Sequence, residues 1–147
     1  MRIIEDKERD PLRIEQLLEV WEYSVKETHL FLSDTEIENI KKYVPQALAD
    51  ISHLIVVENE RELPVAFMGL EKQKLEMLFV SPKERGKGLG KELIRYGIEN
   101  YSINELAVNE QNPLARDFYE YMGFQVYKRT EKDEQGNPYP LLYMKLN

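Results

Sequence analysis

Cysteine is absent from the 147 residues. That absence excludes a disulfide framework, a thiolate metal site and a cysteine nucleophile. No apolar run approaches the ~18 residues of a membrane-spanning helix, and Met1-Arg2-Ile3-Ile4 lacks the apolar core of a signal peptide. A soluble, cytoplasmic chain without membrane contact is the expectation. Positive charge is in short supply as well: the net charge of −7 disfavours nucleic acid or an anionic membrane as the main partner. Repeats, linkers and low-complexity segments are missing too. With 42% apolar residues, positions 1–147 are expected to form a single domain with a real core.

Against that acidic background one stretch stands out. Leu75, Met77, Leu78, Phe79 and Val80 form a short β-compatible run that Ser81-Pro82 stops. Arg85, Gly86, Gly88 and Gly90 follow, and an amphipathic helix is predicted over Leu89 to Asn100. Glycines without Cβ atoms at a helix N-terminus expose backbone N–H groups to an anion, and the helix dipole favours it. Lys83, Arg85, Lys87 and Lys91, opposed only by Glu84, suit a polyanion. The alternative is a solvated glycine-rich turn. A Walker A loop does not fit, because Gly90-Lys91 is followed by Glu92, where Ser or Thr would hold magnesium. The dinucleotide pattern Gly-x-Gly-x-x-Gly also fails, since Gly86 and Gly88 lead to Lys91, and Gly88 and Gly90 lead to Leu93. Arg85-x-x-Gly88-x-Gly90 remains, and it resembles the pyrophosphate loop of the GCN5-related N-acetyltransferases, the GNAT family.

The rest of the chain is consistent with that resemblance. A short strand at Arg2 to Ile4 precedes a helix that opens at Asp10-Pro11, with Ile14, Leu17, Leu18, Trp21 and Val25 on one apolar stripe. Ser33-x-x-Glu36 has the form of a capping box, and Pro45 is expected to divide the helix it opens into two pieces. Three strands follow, Leu54 to Glu58, Leu63 to Leu70 and Leu75 to Val80, then the glycine loop and its helix. Ile103 to Val108 reads as a strand, Pro113 to Met122 as a helix ended by Gly123, and Gln125 to Glu131 with Tyr139 to Leu146 as a closing hairpin. The layout is α/β (mixed α+β), with about seven strands in a twisted mixed sheet flanked by about four helices. Asn112-x-x-Ala115-x-x-Phe118-Tyr119-x-x-x-Gly123-Phe124 resembles the family's second motif. Trp21-x-x-Ser24, Thr28-His29-x-Phe31-Leu32, Asn109 to Asn112 and Gly136-x-Pro138-Tyr139-Pro140-Leu141-Leu142 are most similar to small bacterial acetyltransferases of the YjaB type.

The resemblance implies a GNAT fold whose fourth and fifth strands splay around acetyl-CoA, with no metal. It implies that Leu78, Phe79 and Val80 bind the pantetheine arm, and that Arg85, Gly86, Lys87, Gly88, Leu89, Gly90 and Lys91 bind the pyrophosphate. Asn112 and Tyr119 would touch the cofactor, Tyr119 as general acid, although Phe118, Tyr119 and Met122 also have the spacing of a buried helix face. Glu76, as base directly or through water, and His29, in the first inter-helix connection, would serve the acceptor amine, with Trp21, Phe31 and Tyr139 in its wall. A lone strand carboxylate is ordinarily solvated, a histidine at a helix end ordinarily caps it, and the apolar stripe alone places Trp21 in the core. His53 is expected at the surface. Without a Gly-x-Ser-x-Gly elbow or a cysteine, direct attack by the amine is favoured over an acyl-enzyme. The function implied is acetyl-CoA-dependent N-acetylation of a small or peptide amine, by a monomer or homodimer. A non-catalytic acyl-CoA sensor is the alternative.

Overall fold

In the computed structural model, which describes residues 1–146, helix α1 (Pro11–Thr28) starts where Asp10 accepts a hydrogen bond from the Arg13 backbone N–H at 3.0 Å. Helix α2 (Asp34–Lys41) begins with the expected box. The Ser33 side chain accepts from Glu36 N–H at 3.1 Å, and the Glu36 carboxylate accepts from Ser33 N–H at 2.9 Å. Pro45 stands in the first turn of a separate helix, α3 (Val44–Asp50), where its missing N–H costs no hydrogen bond. The anticipated four helices thus become five segments.

Seven strands form one sheet: β1 (Arg2–Glu5), β2 (His53–Glu58), β3 (Pro64–Glu71), β4 (Lys74–Val80), β5 (Glu105–Asn109), β6 (Phe124–Thr130) and β7 (Leu141–Leu146), ordered β1-β2-β3-β4-β5-β7-β6. All neighbours are antiparallel except β4 and β5. Helices cover both faces, so β2 and β3 are apolar along almost their whole length. Leu54, Val56 and Phe67 pack under α1–α3 with Leu17, Trp21 and Leu48. Ile55, Val57 and Met68 face the other way, towards Leu93 and Ile94 of helix α4 (Leu89–Tyr101), and Phe118 of helix α5 (Pro113–Tyr121) packs against that second core. At Gly97 of α4 an added Cβ would stand 2.8 Å from Cδ1 of Ile103, in the connection to β5, and 3.2 Å from Cε of Met68 on β3, so a side chain there would have to displace both.

The feature that makes a site lies at the centre of the sheet. Parallel β4 and β5 pair only at Lys74↔Glu105 and Leu75↔Leu106, whereas β4 pairs with β3 as far as Val80 and β5 pairs with β7 as far as Asn109. The facing edges of β4 and β5 therefore part beyond Leu75. Among the described residues no helix is long and apolar enough to cross a membrane.

One buried charge ties β2 to the first helix. Glu58 is only 2% exposed and meets Arg2 at 2.7 Å and Arg13 at a closer bond. Burial alone would raise its pKa, but the hydrogen bonds from Arg2 and Arg13 outweigh it and hold the carboxyl below its ordinary 4.5. A folded pKa below the unfolded one adds stability that is present above the ordinary carboxylate range and is lost as pH falls through the folded value. Glu58→Gln should therefore lower unfolding free energy by about 3 kcal/mol near neutral pH, and by much less in acid. Urea unfolding at both pH values measures this, and an equal penalty at both would contradict it.

Candidate active site

Between β4 and α4 the backbone takes the shape its residues demand. Ser81 N–H donates to Val65 O at 2.8 Å, Pro82–Glu84 forms a single 3-10 turn, and Arg85 is extended. Gly86 and Gly88 then both adopt φ +80°, a left-handed conformation that other residues enter with strain. No protein atom lies within 4 Å of the Cβ positions they lack, so internal packing does not explain these glycines. The space is open on the cleft side. Gly90 differs: its added Cβ would meet the Phe118 ring at 3.4 Å, so it sets the approach of α4 to α5.

This loop floors a cleft of about 450 Å³ walled by Leu78–Val80 of β4, by Tyr119 and Asn112 of α5, and by the last turn of α1. Every residue expected at the cofactor lines it except Lys87, whose ammonium is engaged by Glu84 at 2.6 Å. Lys91 lies over the Tyr121 ring, and Arg85 donates to Ser24 Oγ at 3.4 Å. Asn112 Oδ1 caps α5 by accepting from Ala115 N–H at 3.3 Å, which leaves its amide N–H groups as the donors it can offer a ligand. The Tyr119 phenol is held above its ordinary pKa by burial, so it remains protonated. An open glycine cradle, cations and an apolar channel toward the parting of β4 and β5 fit an elongated polyanionic thioester.

His29 stands at the far wall of the same cleft. Its backbone N–H caps α1 by donating to Val25 O at 2.8 Å, but its ring is not used as a cap. Burial, and then the nearby Arg85 guanidinium, lower the imidazole pKa below 6.5. The ring lies 6.5 Å from Phe79 and 5.4 Å from Phe31, and Phe31 lies 5.9 Å from Tyr139. This aromatic row leads from the glycine-loop cleft to a second hollow of about 270 Å³ that holds Phe31, Asn109 and Tyr139. A third, of about 260 Å³, adjoins it through Asp133, Gln135 and Leu141 and contains Glu76. Glu76 is exposed, lies 3.6 Å from Lys74, and lines a different hollow from His29. Trp21, expected in the acceptor wall, is instead 5% exposed in the core under α1, because its apolar stripe faces the sheet. His53 pairs with Glu5 at 3.1 Å, outside all three hollows.

Three polar groups at the site were given no role by the sequence. Ser24 and Thr28 lie one helical turn apart on α1 and face the cleft, and Asn109, at the rim of the second hollow, carries a buried Oδ1 with no partner among the described residues. The i, i+4 spacing of Ser24 and Thr28 was the signal available for the first two. A larger hollow of about 760 Å³, between α1 and Leu63–Pro64, shares only Glu27 and Leu30 with the glycine-loop cleft and contains neither the glycines nor Tyr119. The chemistry points to the smaller one.

Comparison with known proteins identifies the family. Residues 22–146 match the family described as acetyltransferase (GNAT) domain. The peptidyl-lysine N-acetyltransferase YjaB of Escherichia coli K12 is 41% identical over 132 residues, spanning 87% of this chain and 86% of that protein. The solution structure of apo-form YjaB from Escherichia coli superposes with a TM-score of 0.87 at 36% identity, over 98% of this chain and 95% of that one. A PaiA N-acetyltransferase from Thermoplasma acidophilum in complex with coenzyme A shares the fold, with a TM-score of 0.66 at 22% identity over 99% of both chains. On the family match and the 41% identity together, the chain belongs to the GNAT acetyltransferase family.

Proposed function

We propose that this acetyltransferase moves an acetyl group from acetyl-CoA to the side-chain amine of a peptidyl lysine, by direct attack of the amine. The observation that carries the reading is the gap between β4 and β5, with the glycine-loop cleft on one side and the Phe31–Tyr139 and Glu76 hollows on the other. Acetyl-CoA supplies a thioester carbonyl that an amine can reach through that gap. Three features support a lysine in a polypeptide as the acceptor. The receiving side is open, it is acidic, with Glu36, Glu76, Asp133 and Glu134 against Lys74, and the 41% identical relative is named for peptidyl lysine.

Each residue then has a task in this reading. The amides from Arg85 to Lys91 and the Arg85 and Lys91 cations hold the diphosphate, and the free backbone edge of Leu78–Val80 aligns the arm. An attacking amine must be neutral, and His29, itself neutral because its pKa is lowered, accepts the ammonium proton at a ring nitrogen. Glu76 steers the cation towards the gap. Tyr119 Oη–H gives a proton to the departing sulfur, for which its protonated state is the required one.

Three outcomes are expected. Gly88→Asn, which tolerates the left-handed backbone but fills the cradle, should weaken acetyl-CoA binding by about tenfold or more, read by calorimetry, with little change in melting temperature. Wild-type affinity would remove the diphosphate from this loop. Tyr119→Phe should keep that affinity while kcat drops on the order of 10–10³-fold, and a fully active variant would leave the phenol a packing role only. The acid limb of kcat/KM should lie below the ordinary histidine value of 6.5, because the imidazole works when neutral and its pKa is lowered. His29→Ala should abolish that limb and reduce kcat/KM for the lysine peptide. A limb unchanged in His29→Ala would assign it to another group.

A further inference from the structure

The last turn of α1 holds a hydrogen-bond chain whose proton count has only one solution. Thr28 Oγ1 lies 2.8 Å from Ser24 O and 2.8 Å from His29 Nδ1. A hydroxyl carries one proton, and a carbonyl oxygen can only accept. If Thr28 donated to Nδ1, its lone pairs would face those of Ser24 O at 2.8 Å with no proton between them. Donation to Ser24 O satisfies that contact and leaves Oγ1 to accept from Nδ1–H. Ser24 cannot easily withdraw: it is 3% exposed, one turn back on the same helix, and its own hydroxyl accepts from Arg85. Thr28 is the imidazole's only hydrogen-bond partner among the described residues. The other ionisable groups sharing the cleft are Glu27 on α1, Glu84 and Arg85 in the loop, Lys91 on α4 and Tyr119 on α5.

We infer that Thr28 is a positioning residue that locks His29 as the Nδ1–H tautomer, so that Nε2 is the lone-pair nitrogen available to the acceptor ammonium. This rests on His29 being the base. The tautomer of a histidine is set by the bond its other nitrogen makes, and only the nitrogen without a proton can act as base. A hydroxyl on α1 therefore decides which edge of the ring is reactive.

Two-bond proton–nitrogen NMR of the full chain at about pH 8, above the ordinary histidine pKa, reads the tautomer directly, and His53→Gln assigns the second imidazole. Wild type and Thr28→Ser should show a protonated Nδ1 and a bare Nε2 at His29. Thr28→Val, which keeps the branched shape and removes the hydroxyl, should move the proton towards Nε2. It should also lower kcat/KM for a lysine peptide about tenfold or more, with acetyl-CoA affinity and melting temperature near wild type, and Thr28→Ser should restore the rate. A protonated Nε2 in the wild-type spectrum overturns the inference without recourse to any variant, and so does a Thr28→Val spectrum unchanged from wild type. Loss of the rate effect alone, with the tautomer as expected and His29→Ala fully active, would instead remove His29 as the base.

Discussion

Two parallel strands cannot separate in the middle of a sheet without leaving peptide groups that face empty space, and such groups want partners. In this chain β4 and β5 part after Leu75 and Leu106, and the architecture on either side keeps them apart. β3 holds the outer edge of β4, β7 holds that of β5, and α4 presses both halves into one apolar layer through Leu93 and Ile94. The gap is therefore maintained by side-chain packing on both faces. It offers a ligand unpaired backbone groups along its walls and a glycine-lined helix start at one end, which is why a long thioester with a phosphorylated tail suits it.

Charge is distributed to match. The molecule is acidic as a whole, yet Arg85 and Lys91 stand where the chain enters α4, while Glu76, Asp133 and Glu134 line the hollow beside β4 and β5. In the proposed reading, an anionic donor and a cationic acceptor are thus drawn to different hollows. The buried Glu58 plays no part in this, because it serves Arg2 and Arg13 on the far side of the sheet's first strands.

Much of this was legible before any coordinates. Glycine spacing, the capping box, Pro45 and the Asn112 to Phe124 segment each act through local geometry, so their consequences can be read along the chain. What could not be read depends on which faces meet. A helical period shows that Trp21 shares a stripe with Leu17 and Val25, but only the packing of α1 on the sheet settles that the indole is core and not cleft wall. The same period left Tyr119 ambiguous, and the structure lets it do both, packing near Phe124 while lining the cleft. His29 and Glu76 line different hollows, and nothing in their spacing of 47 positions could have separated them. Asn112 carries a capping duty beside its expected contact, since its Oδ1 serves the helix end while its amide N–H groups stay available to a ligand.

Arg85 belongs to the glycine loop and also donates to Ser24 on the last turns of α1. Burial first, and its guanidinium second, disfavour a proton on the nearby His29 imidazole. One arginine thus joins the segment that opens α4 to the segment that closes α1, so a substitution at position 85 touches both ends of the cleft at once.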